Sequence, residues 1–140
     1  MKVQKLFGLL LLIGFAFGLQ DVNAQVAKKS NESGSPEIKF EKTSHDFGEI
    51  PQGEKATYQF KFTNTGDAPL ELKKVKPSCG CTTPYWPKKP IQPGESEKIK
   101  AVYDAGSPGR FHKSITVKTN VKNNGTKVLS IKGRVVKQKQ

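Results

Sequence analysis

The residues of this chain whose type and spacing could do chemistry are Cys79 and Cys81, its two cysteines, set around Gly80 in Pro77-Ser78-Cys79-Gly80-Cys81-Thr82-Thr83. In an extended strand, residues i and i+2 project from one face, so both sulfurs point the same way. Their Cα atoms would then stand about 6.5–7 Å apart, at the upper limit for a disulfide. Gly80 can bend the chain and shorten that distance. Three chemistries compete. The first is structural: a small disulfide loop, or two packed thiols, stiffening a turn. The second is thiol–disulfide exchange, because a strained bond is easily reduced. Against it, no Lys, Arg or His lies within two residues of either cysteine to lower a thiolate pKa. The third is a soft-metal site for Cu(I), which two thiolates on one face suit. The single methionine is Met1, so the nitrogen candidates to complete a metal set with Cys79 and Cys81 are His112 and His45.

Other candidates carry less. His45 and Asp46 are neighbours, and neighbours on a strand face opposite ways, so they do not make a dyad by sequence alone. No nucleophile, base and orienter can be placed together, and the expectation is that the protein is not an enzyme. Tyr85 and Trp86 would suit a stacking platform for a glycan, against the plainer reading of a tryptophan plugging the core beside a proline-rich edge.

The elements that must hold these residues read as short strands. Ile38 and Phe40 alternate with polar neighbours, Asp46–Ile50 continues that strand after a break, and Pro51-Gln52-Gly53-Glu54 turns the chain. In Ala56–Thr63 the side chains of Ala56, Tyr58, Phe60 and Phe62 share a face, the clearest half-buried strand. Asn64-Thr65-Gly66-Asp67 is a turn. Leu70 and Leu72 open the next strand, with Val75 out of step in the manner of a bulge. Pro84, Pro87 and Pro90 exclude a central strand there. After the Pro93-Gly94-Glu95 turn, Ile99, Ala101 and Tyr103 share a face; so do Phe111, Lys113, Ile115, Val117 and Thr119 in the following strand. Asn124-Gly125 predicts a tight hairpin with positive φ, and Leu129, Ile131, Gly133 and Val135 line the last strand. About seven short strands without a helical period predict an all-β, immunoglobulin-like β-sandwich over residues 37–137. Its core would rest on Tyr58, Phe60, Phe62, Ile99, Tyr103, Phe111, Ile115, Val117, Leu129, Ile131 and Trp86.

Residues 1–24 read as a signal peptide: Lys2 and Lys5, an uncharged run from Leu6 to Leu19, then Val22-Asn23-Ala24 before Gln25. The apolar run falls short of the roughly 20 residues a spanning helix needs, so no membrane span is expected after cleavage. Residues 25–36 read as a flexible linker. Loss of Lys2, Lys5 and Asp21 lowers the formal charge from +12 to +11. Such a charge favours an acidic envelope protein or polymer as partner, against the plainer reading of a solvated face that keeps a small β protein soluble. The basic residues are spread over most strands, without the basic-aromatic stripe of a nucleic-acid groove. An exported, periplasmic or secreted monomer is the expectation.

Asn64-Thr65-Gly66 with Pro69-Leu70, Cys79-Gly80-Cys81-Thr82, Pro93-Gly94-Glu95, Gly109 with Phe111, and Thr119-Asn120 fall in an order that resembles the bacterial domain-of-unknown-function family 1573. More distantly it is similar to Hydin-like and sperm-protein-like sandwiches. The resemblance covers roughly residues 40–136 and implies an exported immunoglobulin-like domain of the envelope. It brings no catalytic residues.

Overall fold

From Lys55 to Asn64 every second side chain is apolar or turned inward, a period of two that places Phe60 and Phe62 in the core and Lys55, Thr57, Gln59 and Lys61 in solvent. The same period governs the rest of the computed structural model, which describes residues 34–138. The leader over 1–24, and the linker over 25–36 apart from residues 34–36, lie outside the described residues. Eight strands follow in chain order: β1 (Ile38–Phe40), β2 (Ser44–Pro51), β3 (Lys55–Asn64), β4 (Leu72–Pro77), β5 (Thr82–Tyr85), β6 (Ser96–Asp104), β7 (Gly109–Thr119) and β8 (Thr126–Val136). They form two four-stranded sheets, β1-β3-β6-β5 and β2-β8-β7-β4. Pairing is antiparallel except between β2 and β8. The architecture is the expected immunoglobulin-like sandwich.

Eight strands replace the seven expected because Ile38–Phe40 and Asp46–Ile50 are not one interrupted strand. They belong to opposite sheets, and Glu41-Lys42-Thr43 is a crossing. Phe40 packs against Phe62 with tilted rings, 5.5 Å between centroids, while the Thr43 carbonyl accepts from the Ser130 amide at 2.8 Å on the other sheet. Each end of the break is therefore tied to a different layer. Further along β2, Gly48 takes φ +65° where the pairing with β8 slips between Asp46 and Glu49. The Gly48 amide donates to Asp46 Oδ1 at 2.9 Å, closing the bulge.

The core is the set of inward positions on both sheets. All the expected core residues are buried except Tyr58 and Trp86, which are half-buried and packed against it. Tyr103 of β6 stacks on Phe111 of β7 at 3.8 Å and so joins the two layers. Leu70 is fully buried but does not open a strand. It lies in the connection before β4, paired with Ile91 by reciprocal backbone hydrogen bonds of 2.9 and 2.8 Å. The expected bulge beyond it is present as a slip in the β4–β7 register between Leu72 and Lys74.

The hairpin between β7 and β8 is present, but its turn is not a two-residue one. The connection runs over residues 120–125, Asn124 alone takes positive φ (71°), and the Gly125 carbonyl accepts from both the amide and the hydroxyl of Thr119.

Candidate functional site

Cys79-Gly80-Cys81 occupies the corner at which the chain leaves the edge of one sheet and enters the edge of the other. β4 ends at Pro77, which has no amide to donate. Pairing with β7 continues one residue further: the Ser78 amide donates to the Ser114 carbonyl at 2.8 Å, and Ser78 Oγ accepts from the Ser114 amide at 3.0 Å. On the far side of the corner, the Cys81 carbonyl accepts from the Asp104 amide at 2.9 Å, which starts the β5–β6 pairing. Between these anchors the Thr82 amide closes a turn on the Cys79 carbonyl at 3.4 Å, and Thr82 is buried.

The two sulfurs are joined in a disulfide, with Cα atoms 5.3 Å apart. That separation is shorter than an extended i, i+2 pair because the segment turns. Gly80 does not achieve this through positive φ, and a side chain added there would meet nothing within 4 Å. Gly80 itself is exposed, between two half-buried cysteines. Cys81 packs against the core. A groove of about 510 Å³ opens beside Cys81, with Lys113 and Arg110 in its lining. No basic residue lies next to the cysteines in sequence, but the fold brings two to their neighbourhood.

The nitrogen candidates lie elsewhere. His112 lines a different groove, with Asp46 and Lys132, and not the one that holds Cys81. His45 stacks on Tyr58 at 3.7 Å, nearly parallel, and meets the edge of Phe47 at 4.6 Å. Among the described residues no three of His, Cys, Asp and Glu are gathered as a metal set. Neither histidine is placed as a base against the sulfurs.

His45 instead links β2 to β3 across the sandwich, and burial holds its pKa below the ordinary value of 6.5, against a smaller opposing pull from Asp46. A base whose folded pKa is depressed binds its proton more readily in the unfolded chain. Its stability contribution is full above the unfolded pKa and declines as pH falls through about 6.5. The melting temperature is expected to drop between pH 7.5 and 5, and His45→Gln to flatten that drop. Identical pH profiles for the two proteins would overturn the assignment.

Tyr85 and Trp86 do not form a shared platform. Tyr85 ends β5 with 54% of its surface exposed and Lys100 Nζ 4.7 Å from its ring centre. Trp86 packs on the core and carries Lys88 Nζ 3.0 Å from its own ring centre.

Sequence reading missed a second polar site, on the outer face of the β2-β8-β7-β4 sheet. Arg110 and Arg134 are directly opposite in the β7–β8 register, beside the pair His112 and Lys132. A signal was present: these are the only two arginines of the chain, against 22 lysines.

Similar solved structures agree on the sandwich. A protein of unknown function from Porphyromonas gingivalis W83 is 22% identical with a TM-score of 0.61, over 72% of this chain and 46% of that one. PapD-like domain 7 of human CEP192 is 10% identical with a TM-score of 0.63, over 75% and 89%. The secreted serine protease VesC from Vibrio cholerae is 13% identical with a TM-score of 0.55, over 70% and 23%. At such identities the likeness is one of fold, and this chain spans under half the length of the first of them. No curated protein matches the sequence. The family itself is shown by a match at residues 38–135, spanning all eight strands but the last residue of β8: the chain belongs to the family described as protein of unknown function (DUF1573).

Proposed function

We propose that this protein is an exported, non-enzymatic immunoglobulin-like module that binds an acidic component of the bacterial envelope, with the Cys79–Cys81 disulfide fastening its sheet-to-sheet corner. The observation that carries the reading is the outer face of the β2-β8-β7-β4 sheet. Lys74, Lys76, Arg110, Lys118, Lys132 and Arg134 alternate there with inward core residues, opposed by Asp46 and Glu49. A face of one prevailing sign attracts partners of the other.

The test begins with the protein recovered from cells. Export predicts an N-terminus at Gln25 and an intact mass that rises by about two hydrogens on reduction. Binding predicts sedimentation with the organism's own envelope fraction that is lost as salt is raised. An uncleaved cytoplasmic chain, or turnover of a substrate that disappears in Cys79→Ser, would defeat the proposal.

The second reading is a thiol–disulfide or Cu(I) carrier working through Cys79 and Cys81. The uncovered Gly80 and the basic groove beside Cys81 favour it, since nearby positive charge stabilises a thiolate. Copper would require prior reduction of the disulfide. The double variant Cys79→Ser/Cys81→Ser separates the two. A fastener for so short a loop is worth about 1–2 kcal/mol, so the variant should melt lower while sedimenting as before. A carrier would lose thiol exchange or stoichiometric Cu(I) binding instead.

A further inference from the structure

We propose that Arg110 and Arg134 form a binding site for a phosphate group. The proposal rests on the reading of the protein as a binder of acidic envelope material and names the chemistry its basic face selects. The two guanidinium groups come from residues directly opposite each other on β7 and β8, and both line one groove of about 600 Å³ on the outer face. Like charges directly across a ladder destabilise it. Lysines also face each other, at Lys61 and Lys98 on the other sheet, but a lysine is a flexible point charge that swings away. Arginine is a planar fork suited to oxyanions, and the chain places both of its arginines here.

The groove's other charges are partly settled. Lys132 lies 3.5 Å from Asp46, whose other oxygen accepts from the Gly48 amide, and that amide above all holds the Asp46 carboxyl below its usual pKa. Among the described residues no carboxylate lies within 4.0 Å of either arginine. Glu49, opposite Arg134 on β2, is the remaining acid in the groove. Two fixed positive charges thus face one negative one. The strand beneath them is closely packed: at Gly133 a side chain would come within 2.9 Å of both the Gly48 carbonyl and the Phe111 ring. A carboxylate offers two oxygens, enough for one fork. A free or terminal phosphate offers three or more, enough to accept from both, and a polyphosphate chain offers further oxygens on successive units.

Having two arginines gives the protein two guanidinium Nε–Hε signals in its nitrogen–proton spectrum, a direct report on the site. The ¹⁵N-labelled protein, in the form its cells export, is titrated with inorganic phosphate and separately with polyphosphate, replacing chloride at constant ionic strength. Both signals are expected to move along one saturating curve. Saturation by inorganic phosphate supports a site for a free anion, and saturation by polyphosphate alone supports phosphate carried on a polymer. Arg110→Gln and Arg134→Gln should each weaken binding about ten-fold or more. Lys61→Gln/Lys98→Gln, which removes two charges from the opposite face, should leave it within about two-fold. Saturation by neither anion would overturn the site. So would a Lys61→Gln/Lys98→Gln effect as large as that of the arginine variants. In both cases salt-sensitive sedimentation with the envelope, if retained, would leave the broader binding proposal standing.

Discussion

Phe60→Ala is expected to lower the unfolding free energy by about 3–5 kcal/mol. Phe60 is fully buried in the middle of β3, opposite Ile99 in the register with β6, and meets Tyr58 edge-on at 4.9 Å between ring centroids. Truncation removes the transfer energy of the ring and leaves a cavity that the β3 backbone, pinned along its length by β6 and from Phe62 onward by β1, cannot collapse to fill. For a domain whose total stability is of the order of 5–15 kcal/mol, that is a large share. Urea denaturation should show a much lower midpoint with an unchanged slope, because the surface exposed on unfolding is the same. Phe60→Leu, which keeps most of the volume, should lose far less. A loss below about 1 kcal/mol for the alanine variant would mean that β3 is not packed as described.

The aromatic alternation in β3 was legible because a period of two over so many residues has one structural solution. The hairpin turn was not. A two-residue turn at Asn124-Gly125 would make Asn123 and Thr126 partners, and by the same register Arg110 and Lys139. That register puts odd-numbered residues of β7 opposite even-numbered ones of β8. The core positions are odd on both: Ile115 and Val117, Leu129 and Ile131. Directly opposite residues share a face, so the pattern demands the register observed, in which Ile115 faces Leu129 and Arg110 faces Arg134. Core burial outweighs turn preference, and the connection lengthens to residues 120–125 to allow it. The arginine pair was hidden by the same error. It follows from the register, and the register from the core.

The cysteine corner was visible as a motif but not as a place. Nothing in Cys-Gly-Cys says that β4 edges one sheet and β5 the other, because both are short and flanked by prolines. Likewise the break after Phe40 looked like an interruption of one strand. A crossing differs from a bulge in its long-range partners, Lys61 for Glu41 and Ser130 for Thr43, which no local pattern encodes.

Asn64→Asp should destabilise the fold more than Asn64→Ala at neutral pH and recover in acid. Asn64 ends β3 and is fully buried, although its motif reads as an exposed turn. Its Nδ2 donates to the Ala68 and Ile91 carbonyls at 2.8 and 2.9 Å, and its Oδ1 accepts from the Gly66 amide at 3.0 Å and the Glu37 amide at 3.4 Å. Its backbone ties in the Pro93-Gly94-Glu95 turn, donating to the Glu95 carbonyl and accepting from the Gly94 amide. The side chain thus joins three stretches: the residue before β1, the β3–β4 connection and the β5–β6 connection. Alanine leaves the Ala68 carbonyl and the Gly66 and Glu37 amides without this partner, though the Ile91 carbonyl keeps the Leu70 amide; the cost is about 2–3 kcal/mol. Aspartate keeps the acceptor but turns a negative oxygen toward two carbonyl oxygens, at about 4 kcal/mol or more. That repulsion, with burial, raises the folded pKa of the introduced carboxyl above its unfolded value of about 3.9. A group so shifted is harmless below the unfolded pKa, where it is neutral and can donate to one carbonyl. Its penalty grows as pH rises from there to the folded pKa. Urea midpoints of Asn64→Asp and the unmodified protein, compared pH by pH, should therefore converge toward pH 3 and part toward pH 7. Parallel profiles would show that Nδ2 does not point at those carbonyls and that something else joins the three stretches.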